Sequence, residues 1–163
     1  SLKYPNVTQK THKIVSNLMG FDIDHSSIHR NLFDTQNKSR LELLKVCLNN
    51  LQLFEKQGAA LMFLEEKDLL QCNYKKGDTE GFVNMPLSLN NISFSAFFVE
   101  FKDGIKMSFR SQNNFDVNLF AYTYFNGGGH KNAAGGRLEH TTMKEAVKYF
   151  KTVLDNFLND SKS

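Results

Sequence analysis

The sequence predicts an α/β fold in which a helical segment comes first and a mixed unit of strands and helices follows. Three observations support this prediction. Apolar residues recur at helical spacing through the first third of the chain, a Phe- and Val-rich segment and an alternating segment flank a Lys-Asp-Gly turn, and an amphipathic helix closes the chain. Because helices and strands have different periodicities, the order of these patterns indicates the fold class.

The composition is that of a folded domain with a weak positive charge. The chain has 163 residues, 40% of them apolar, with 20 basic and 17 acidic residues. The longest apolar run, residues 59–64, is far shorter than the roughly 20 residues that span a bilayer. No secretory signal begins the chain, and two cysteines make neither a disulfide framework nor a metal-binding spacing. We therefore expect a cytoplasmic protein whose charge permits an anionic partner.

The first part of the chain is predicted to be helical. Thr8 and Asp24 are suitable N-caps for two short helices, and a third helix is predicted to begin at Ser39 and to end before Gly58. The apolar stripe of this third helix consists of Leu41, Leu44, Val46, Leu48, Leu51 and Phe54. A domain boundary is expected near Gly58, where the pattern changes.

Strands are predicted after this boundary. Residues 59–64 form a continuous apolar run, which is typical of a buried strand, and residues 92–101 and 105–111 flank a turn and predict a β-hairpin. The returning strand alternates between an apolar and a polar face. The apolar residues are Ile105, Met107 and Phe109, and the polar ones are Lys106, Ser108 and Arg110.

Three further helices are predicted over residues 79–89, 116–125 and 142–158. The last of them directs Met143, Val147, Phe150, Val153, Leu154 and Phe157 inward. The phenylalanines of the first hairpin strand have two interpretations, a platform for stacking nucleobases or core packing, and the strand context favours the core. These residues are Phe94, Phe97, Phe98 and Phe101.

The most unusual stretch is a glycine-rich loop at residues 126–136, which contains five of the ten glycines. Successive glycines allow positive φ and bring bare N–H groups close to a ligand. His130 and Lys131 follow, and residues 132–134 are predicted to begin a helix whose N-terminal N–H groups favour an anion. Phosphate is the simplest ligand that uses all these groups, although a plain helix–loop–helix connection is an equal alternative on composition alone. No Gly-Lys-Ser/Thr ends the stretch, which excludes a Walker-type loop.

Three motifs in the expected order resemble the DHHA1 domain, the C-terminal half of DHH-type phosphoesterases. Gly-Gly-Gly-His at residues 127–130 and Ala-Ala-Gly at residues 133–135 are similar to its signature loop. Residues 78–84 resemble its Thr-Glu-Gly segment, and residues 108–111 resemble its Ser-x-Arg-Ser strand. Residues 1–8 are similar to the segment after the last metal-binding aspartate in the oligoribonuclease/phosphoadenosine-phosphate phosphatase branch, which is also described as exopolyphosphatase-related.

The resemblance implies a DHHA1-type mixed β-sheet flanked by helices over residues 58–163, preceded over residues 1–57 by the helical tail and linker of a DHH domain. It implies a phosphoesterase that hydrolyses short oligonucleotides or nucleotide phosphates with two divalent metals, usually manganese, held by the DHH domain. No Asp-His-His motif occurs in this sequence. This part is therefore expected to bind no metal, to contain no catalytic residue and to be inactive alone.

The expected partners are a short RNA or DNA oligonucleotide or a nucleotide phosphate, and the DHH domain; no membrane is expected, and a homodimer is left open. Two alternative functions also stay open. One is a non-catalytic nucleic-acid-binding module, as in the DHHA1 units of alanyl-tRNA synthetases. The other is a part of a cyclic-dinucleotide phosphodiesterase.

The resemblance also indicates the substrate-binding residues. Arg110 is expected to fork onto a phosphate with two N–H bonds, with the Ser111 hydroxyl beside it. The His130 imidazole and the Lys131 ammonium are expected to contact the same anion, and Asn84 to orient a phosphate or sugar. The remaining expected contacts come from the loop glycines Gly127, Gly128 and Gly129.

Overall fold

The computed structural model describes residues 6–160, which fall into two compact units. The boundary between the units lies between Gln36 and Asn37. The segment at residues 1–5, which carries most of the resemblance at the start of the chain, lies outside the described residues. Among the residues that are described, no helix is long and apolar enough to cross a bilayer.

The first unit consists of short helices that begin at side-chain caps. α1 (Gln9–Met19) follows Thr8, whose hydroxyl accepts a hydrogen bond from an N–H of the first turn at 3.4 Å. α2 (His25–His29) follows Asp24, whose carboxylate accepts one at 2.9 Å, and a π-helical turn, Arg30–Asp34, continues it. Both caps satisfy N–H groups that have no partner within the helix, so the two predicted helix starts are confirmed.

The second unit is built on one six-stranded mixed sheet. Its strands are β1 (Gln52–Phe54), β2 (Ala59–Leu64), β3 (Phe94–Phe101), β4 (Gly104–Ser111), β5 (Gly128–His130) and β6 (Ala133–Leu138). They lie in the order β1-β2-β3-β4-β6-β5; β2 and β3 are parallel, and every other pair is antiparallel. The helices are α3 (Lys38–Asn49), α4 (Glu66–Gln71), α5 (Val117–Tyr124) and α6 (Met143–Asp160), with 3₁₀ turns at Glu55–Gln57 and Phe82–Ser88. The predicted fold class is confirmed.

The third predicted helix is wrong in its end, and its predicted buried face is only partly right, since Leu44 and Val46 are half-buried. α3 ends at Asn49, and the residues expected to extend it form β1, because they pair with β2 in antiparallel register. Leu43 and Cys47, one turn apart, are the buried residues of α3, whereas Leu41 is 55% exposed. α3 also packs within the second unit, before the boundary expected near Gly58.

Alternation along β4 determines how the two faces of the sheet are covered. Ile105, Met107 and Phe109 face the larger core, which α5 and α6 complete. The smaller core on the opposite face lies between α3, α4, the 3₁₀ turn at Phe82–Ser88 and the strands β2 and β3. The predicted inward face of the closing helix is confirmed: its residues lie in the larger core or pack against it.

The larger core is dominated by phenylalanine. Rings from the strands and the helices meet edge to face, as between Phe98 and Phe150, whose centroids are 5.6 Å apart at 89°. Such pairs are each worth about 0.5–1.5 kcal/mol beyond the area that they bury. The core interpretation of the strand phenylalanines is confirmed for Phe94, Phe97 and Phe98, which are at most 4% exposed, whereas Phe101 is only half-buried.

Two other helix predictions are wrong. Residues 79–81 form a turn, and the helix that follows is the 3₁₀ turn at Phe82–Ser88. Residues 132–134 do not begin a helix: β6 starts at Ala133 and pairs with both β4 and β5, so the glycine-rich segment is a β-hairpin at the edge of the sheet. The residues expected to start a helix pair instead with neighbouring strands, and a glycine-rich segment carries no local sequence signal for such pairing.

Candidate functional site

The polar face of β4 forms part of a cleft of about 240 Å³. Lys106, Ser108 and Arg110 alternate along this face with the residues that point into the larger core. The segment from Lys76 to Gly81 supplies another part of the lining, together with Tyr74. The remaining lining is apolar and comes from Val83, Phe97, Val99 and Phe101. The cleft is therefore basic and polar along one strand and aromatic or aliphatic elsewhere.

The register of the sheet places the glycine-rich hairpin next to Arg110. Arg110 is opposite Ala133 of β6, and Ala133 is opposite His130 of β5. Since directly opposite residues share a face of the sheet, Arg110 and His130 lie at one level, two strands or roughly 10 Å apart. Two residues before Arg110 on the same face of β4, Ser108 is opposite Gly135 of β6. Because Ala133 and Gly135 have a small side chain or none, the backbone of β6 between β4 and β5 is almost uncovered on this face.

Arg110 is half-buried, and one guanidinium N–H donates to the carbonyl oxygen of Phe109 at 2.9 Å. A guanidinium has five N–H donors in a fixed plane. One donor tied to the backbone therefore orients the group and leaves others for a ligand. This geometry suits the phosphate contact that the sequence indicates for Arg110.

The structure does not bring Ser111 to the cleft. Ser111 is 8% exposed on the other face of β4, and its hydroxyl donates to the carbonyl oxygen of Phe115 at 2.7 Å. The side-chain amide of Asn132 donates to the same hydroxyl at 3.0 Å. Ser111 thus ties the end of β4 to the following segment and to the glycine-rich hairpin. The hydroxyl on the cleft face of the strand belongs to Ser108, as the alternation of the strand requires.

Backbone packing explains the glycines of the hairpin. A Cβ at Gly127 would overlap the carbonyl oxygen of Gly135, and one at Gly129, where φ is +157°, would overlap that of Ala133. The side chain of Asn118, from α5, accepts a hydrogen bond from the N–H of Gly129 at 2.8 Å. Gly128 differs, since the nearest atom to a Cβ there lies at 3.5 Å. Packing therefore does not require a glycine at position 128.

The loop beside the cleft is held by α3. One guanidinium nitrogen of Arg40 donates to the carbonyl oxygen of Asp78 at 2.7 Å, and another donates to that of Glu80 at 2.8 Å. The same guanidinium lies 4.7 Å from the centroid of the Phe82 ring. Sequence reasoning missed Arg40, because no local pattern links it to a segment about 40 residues later. Arg40 is a positioning residue for this side of the cleft.

Asp78 is the buried carboxylate of this loop. Its oxygens accept hydrogen bonds from the side-chain amide of Asn37 and from the N–H of Lys75, each at 2.8 Å. Chiefly because of the bond from Asn37, the pKa of Asp78 lies below its ordinary value of 3.8. The carboxylate is therefore charged at neutral pH and fixes the turn that leads into the cleft.

Arg110 is the predicted contact that lines the cleft; His130, which is exposed, the loop glycines at residues 127–129, Lys131 and Asn84 lie outside its lining. Lys131 is exposed in the turn between β5 and β6, and its carbonyl oxygen accepts from the N–H of Val117 at 2.9 Å. Asn84 is exposed on the 3₁₀ turn that follows the loop. The structure thus groups Arg110, Ser108 and, by register, His130, while Asn84 stands apart.

The charges of the cleft favour an anion. Lys76, Lys106 and Arg110 line it together with the single carboxylate of Glu80. Anions are attracted to a recess in which positive groups outnumber negative ones, because the protein walls screen less than water does. Within residues 6–160, no group of three or more His, Cys, Asp or Glu residues could hold a metal ion. Three positive side chains against one carboxylate suit an anion such as phosphate.

The model of the DHHA1 domain family matches residues 58–160, which include the cleft, its loop and the glycine-rich hairpin. The chain belongs to the DHHA1 domain family. This confirms the family that the three motifs indicate.

The relatives of this DHHA1 chain are longer proteins. It is 32% identical over 133 residues to a probable bifunctional oligoribonuclease and PAP phosphatase NrnA of Streptococcus mutans. It is 30% identical over 138 residues to the bifunctional oligoribonuclease and PAP phosphatase NrnA of Bacillus subtilis. The alignments cover 81% and 83% of this chain but 42% of each relative. The DHHA1 chain thus spans less than half the length of the curated relatives it matches.

Solved structures have the same fold. An exopolyphosphatase-related protein from Bacteroides fragilis superimposes with a TM-score of 0.90 at 38% identity. The superposition covers 99% of the DHHA1 chain and 47% of the Bacteroides fragilis protein. A pGpG-specific phosphodiesterase from Vibrio cholerae superimposes with a TM-score of 0.55 at 13% identity. The superposition covers 92% of the DHHA1 chain and 51% of the Vibrio cholerae protein. The second likeness shows the fold alone.

Substituting the hairpin glycines tests whether packing explains them. We expect Gly127→Ala to lower the free energy of unfolding by about 1–3 kcal/mol, because the added methyl group must displace the backbone of Gly135. Gly128→Ala is the matched control and should leave stability within about 0.5 kcal/mol, since its methyl group meets only ordinary contacts. Urea unfolding of both variants measures the difference, and equal midpoints would contradict the packing explanation.

Acid unfolding tests the role of Asp78. Because its pKa is lowered in the folded chain, this carboxylate stabilises the fold above its ordinary pKa of 3.8, and that stabilisation is lost as the pH falls through the lowered value. We expect Asp78→Ala to destabilise the fold at pH 7 and to flatten the loss of stability below pH 3.8. Parallel stability profiles of the variant and the wild type between pH 7 and about pH 2 would refute this role.

Proposed function

We propose that this chain is the substrate-binding part of a metal-dependent phosphoesterase and that the cleft beside β4 holds the terminal phosphate of a short oligonucleotide or a nucleotide. One observation carries the proposal: Arg110 and His130 share one level of the sheet, and only Ala133 separates them in the register. A phosphate at this level can approach the backbone closely. Arg110 would then bind two phosphate oxygens at once.

The residues divide the work by their chemistry. Arg110 supplies charge and direction, since its planar fork matches two phosphate oxygens. Ser108 supplies a hydroxyl on the same strand face, and His130 supplies a ring nitrogen from the neighbouring hairpin. Lys106 adds a mobile positive charge further along the strand. Arg40 and Asn118 contact no substrate in this proposal; they hold the loop and the hairpin in place.

Holding the terminal phosphate would contribute to hydrolysis through position. A substrate fixed at one end presents its scissile bond in a defined place, which removes much of the entropic cost of reaction. In the longer protein, two divalent metals, usually manganese, would supply an activated water and stabilise the developing charge. The curated relatives are named as enzymes that act on oligoribonucleotides and on PAP, which supports this substrate class. We propose that hydrolysis depends on residues outside this chain, which by itself binds substrate without turnover.

Nucleotide binding by the purified chain tests the proposal. We expect Arg110→Ala to weaken the binding of adenosine 5′-monophosphate about 10- to 100-fold, the loss that accompanies removal of charge-assisted hydrogen bonds. Arg30→Ala is the control, because Arg30 is an exposed arginine of the other compact unit. Calorimetric titration measures both affinities. If Arg110→Ala and Arg30→Ala bind the nucleotide equally well, the proposed phosphate site is wrong.

A further inference from the structure

A pair of aromatic side chains lies at the end of the cleft opposite Arg110. Tyr74 and Phe101 both line the cleft, both are half-buried, and their ring centroids are 6.1 Å apart at 58°. Phe101 is the strand phenylalanine that the core does not bury completely. The proposed phosphate contacts do not use this pair.

The far side of the same pair is also accessible. Tyr74 and Phe101 line a second hollow of about 430 Å³, whose other residues include Leu69 and Leu70. Leu70 is 71% exposed, so this hollow has an apolar surface open to solvent. The two rings therefore form a ridge between two recesses. Both rings also pack against the smaller core, and the parts of them that line the two recesses are apolar surface that a flat ligand could contact.

The spacing along β4 separates the ridge from the phosphate site. Phe101 is opposite Gly104, which lies six residues before Arg110 on β4. At about 3.4 Å per residue, the two levels are roughly 20 Å apart. Lys106 lies between them on the cleft face. A strand that is anchored at Arg110 and runs along β4 past Lys106 would direct its next nucleotide towards the ridge.

We propose that the Tyr74–Phe101 ridge is a base-stacking subsite for the second nucleotide of an oligonucleotide whose terminal phosphate is held at Arg110. The inference rests on the proposed function, because it takes Arg110 as the phosphate anchor. Lys106 then faces the phosphate that links the two nucleotides. The substrate class is narrowed to phosphorylated oligonucleotides of at least two residues.

The chemistry of the ridge distinguishes this substrate from a chain of inorganic phosphate. A polyphosphate gains from Lys106 and Arg110 but gains nothing from an aromatic surface. A nucleobase of any sequence gains from stacking, because every base has a π-face. The ridge therefore favours an oligonucleotide over an inorganic polyphosphate, even though the solved relative from Bacteroides fragilis is described as exopolyphosphatase-related.

Binding of three probes to the purified chain tests the ridge. The probes are the 5′-phosphorylated dinucleotide pApA, adenosine 5′-monophosphate and inorganic tripolyphosphate. We expect the wild type to bind pApA more tightly than the monophosphate. We expect Tyr74→Leu to weaken pApA binding about tenfold, the effect of losing one base–aromatic stack, and to change the other two affinities less than about twofold. Tyr74→Phe, which keeps the ring, should bind all three probes as the wild type does.

Two controls separate the possible failures. Tyr122→Leu removes a tyrosine that is 75% exposed on α5, the helix that packs into the larger core on the other face of the sheet, and should change no affinity. If Tyr74→Leu leaves pApA binding unchanged while Arg110→Ala weakens both nucleotides, the ridge is wrong and the phosphate site stands. If Arg110→Ala also changes nothing, the proposed function fails as well. Equal affinity of the wild type for pApA and the monophosphate would overturn the ridge directly.

A measurement on the wild type tests the ridge even if the Tyr74 variants do not fold. In a complex saturated with pApA, we expect nuclear Overhauser contacts between adenine protons and the ring protons of Tyr74. Their absence at saturation would overturn the proposal.

Discussion

The two-faced β4 strand is the constraint on which the cleft depends. Its apolar residues are fixed by the phenylalanine-rich core, where Phe109 meets Phe98, Phe120 and Phe125 at centroid distances of 5.2 to 6.2 Å. A slip of one residue would expose this apolar face and bury Arg110, so the core specifies the register strongly. The same packing that stabilises the domain therefore decides which side chains reach the cleft.

The strands on either side of β4 complete the site: β6 contributes little side-chain volume, and β3 contributes much. Towards β6, Ala133 and Gly135 contribute little side-chain volume, and Gly127 and Gly129 let backbones approach where a Cβ would clash. Towards β3, the cleft lining is aromatic or aliphatic. This contrast produces a recess that is polar along β4 and apolar along β3. An anion with an attached flat apolar group matches both sides.

Local sequence signals predicted the features that local physics controls. The hairpin containing β3 and β4 follows from its turn and from strict alternation, and the buried face of α6 follows from helical periodicity. The same alternation distinguishes Ser108 from Ser111, although the motif alone favoured Ser111. Contacts that join distant segments had no such signal. Arg40 reaches a carbonyl group 38 residues away, and β1 departs from a helical pattern only because β2 lies beside it.

The proposed function depends on the binding of an anion on the cleft face of β4. Amide chemical shifts of the chain, followed while adenosine 5′-monophosphate is added to millimolar concentration, test it most directly. We expect the largest shifts at Arg110, Ser108 and the residues of the β5–β6 hairpin, with little change in α6. Shifts confined to other surfaces, or none at the cleft at millimolar nucleotide, would contradict it.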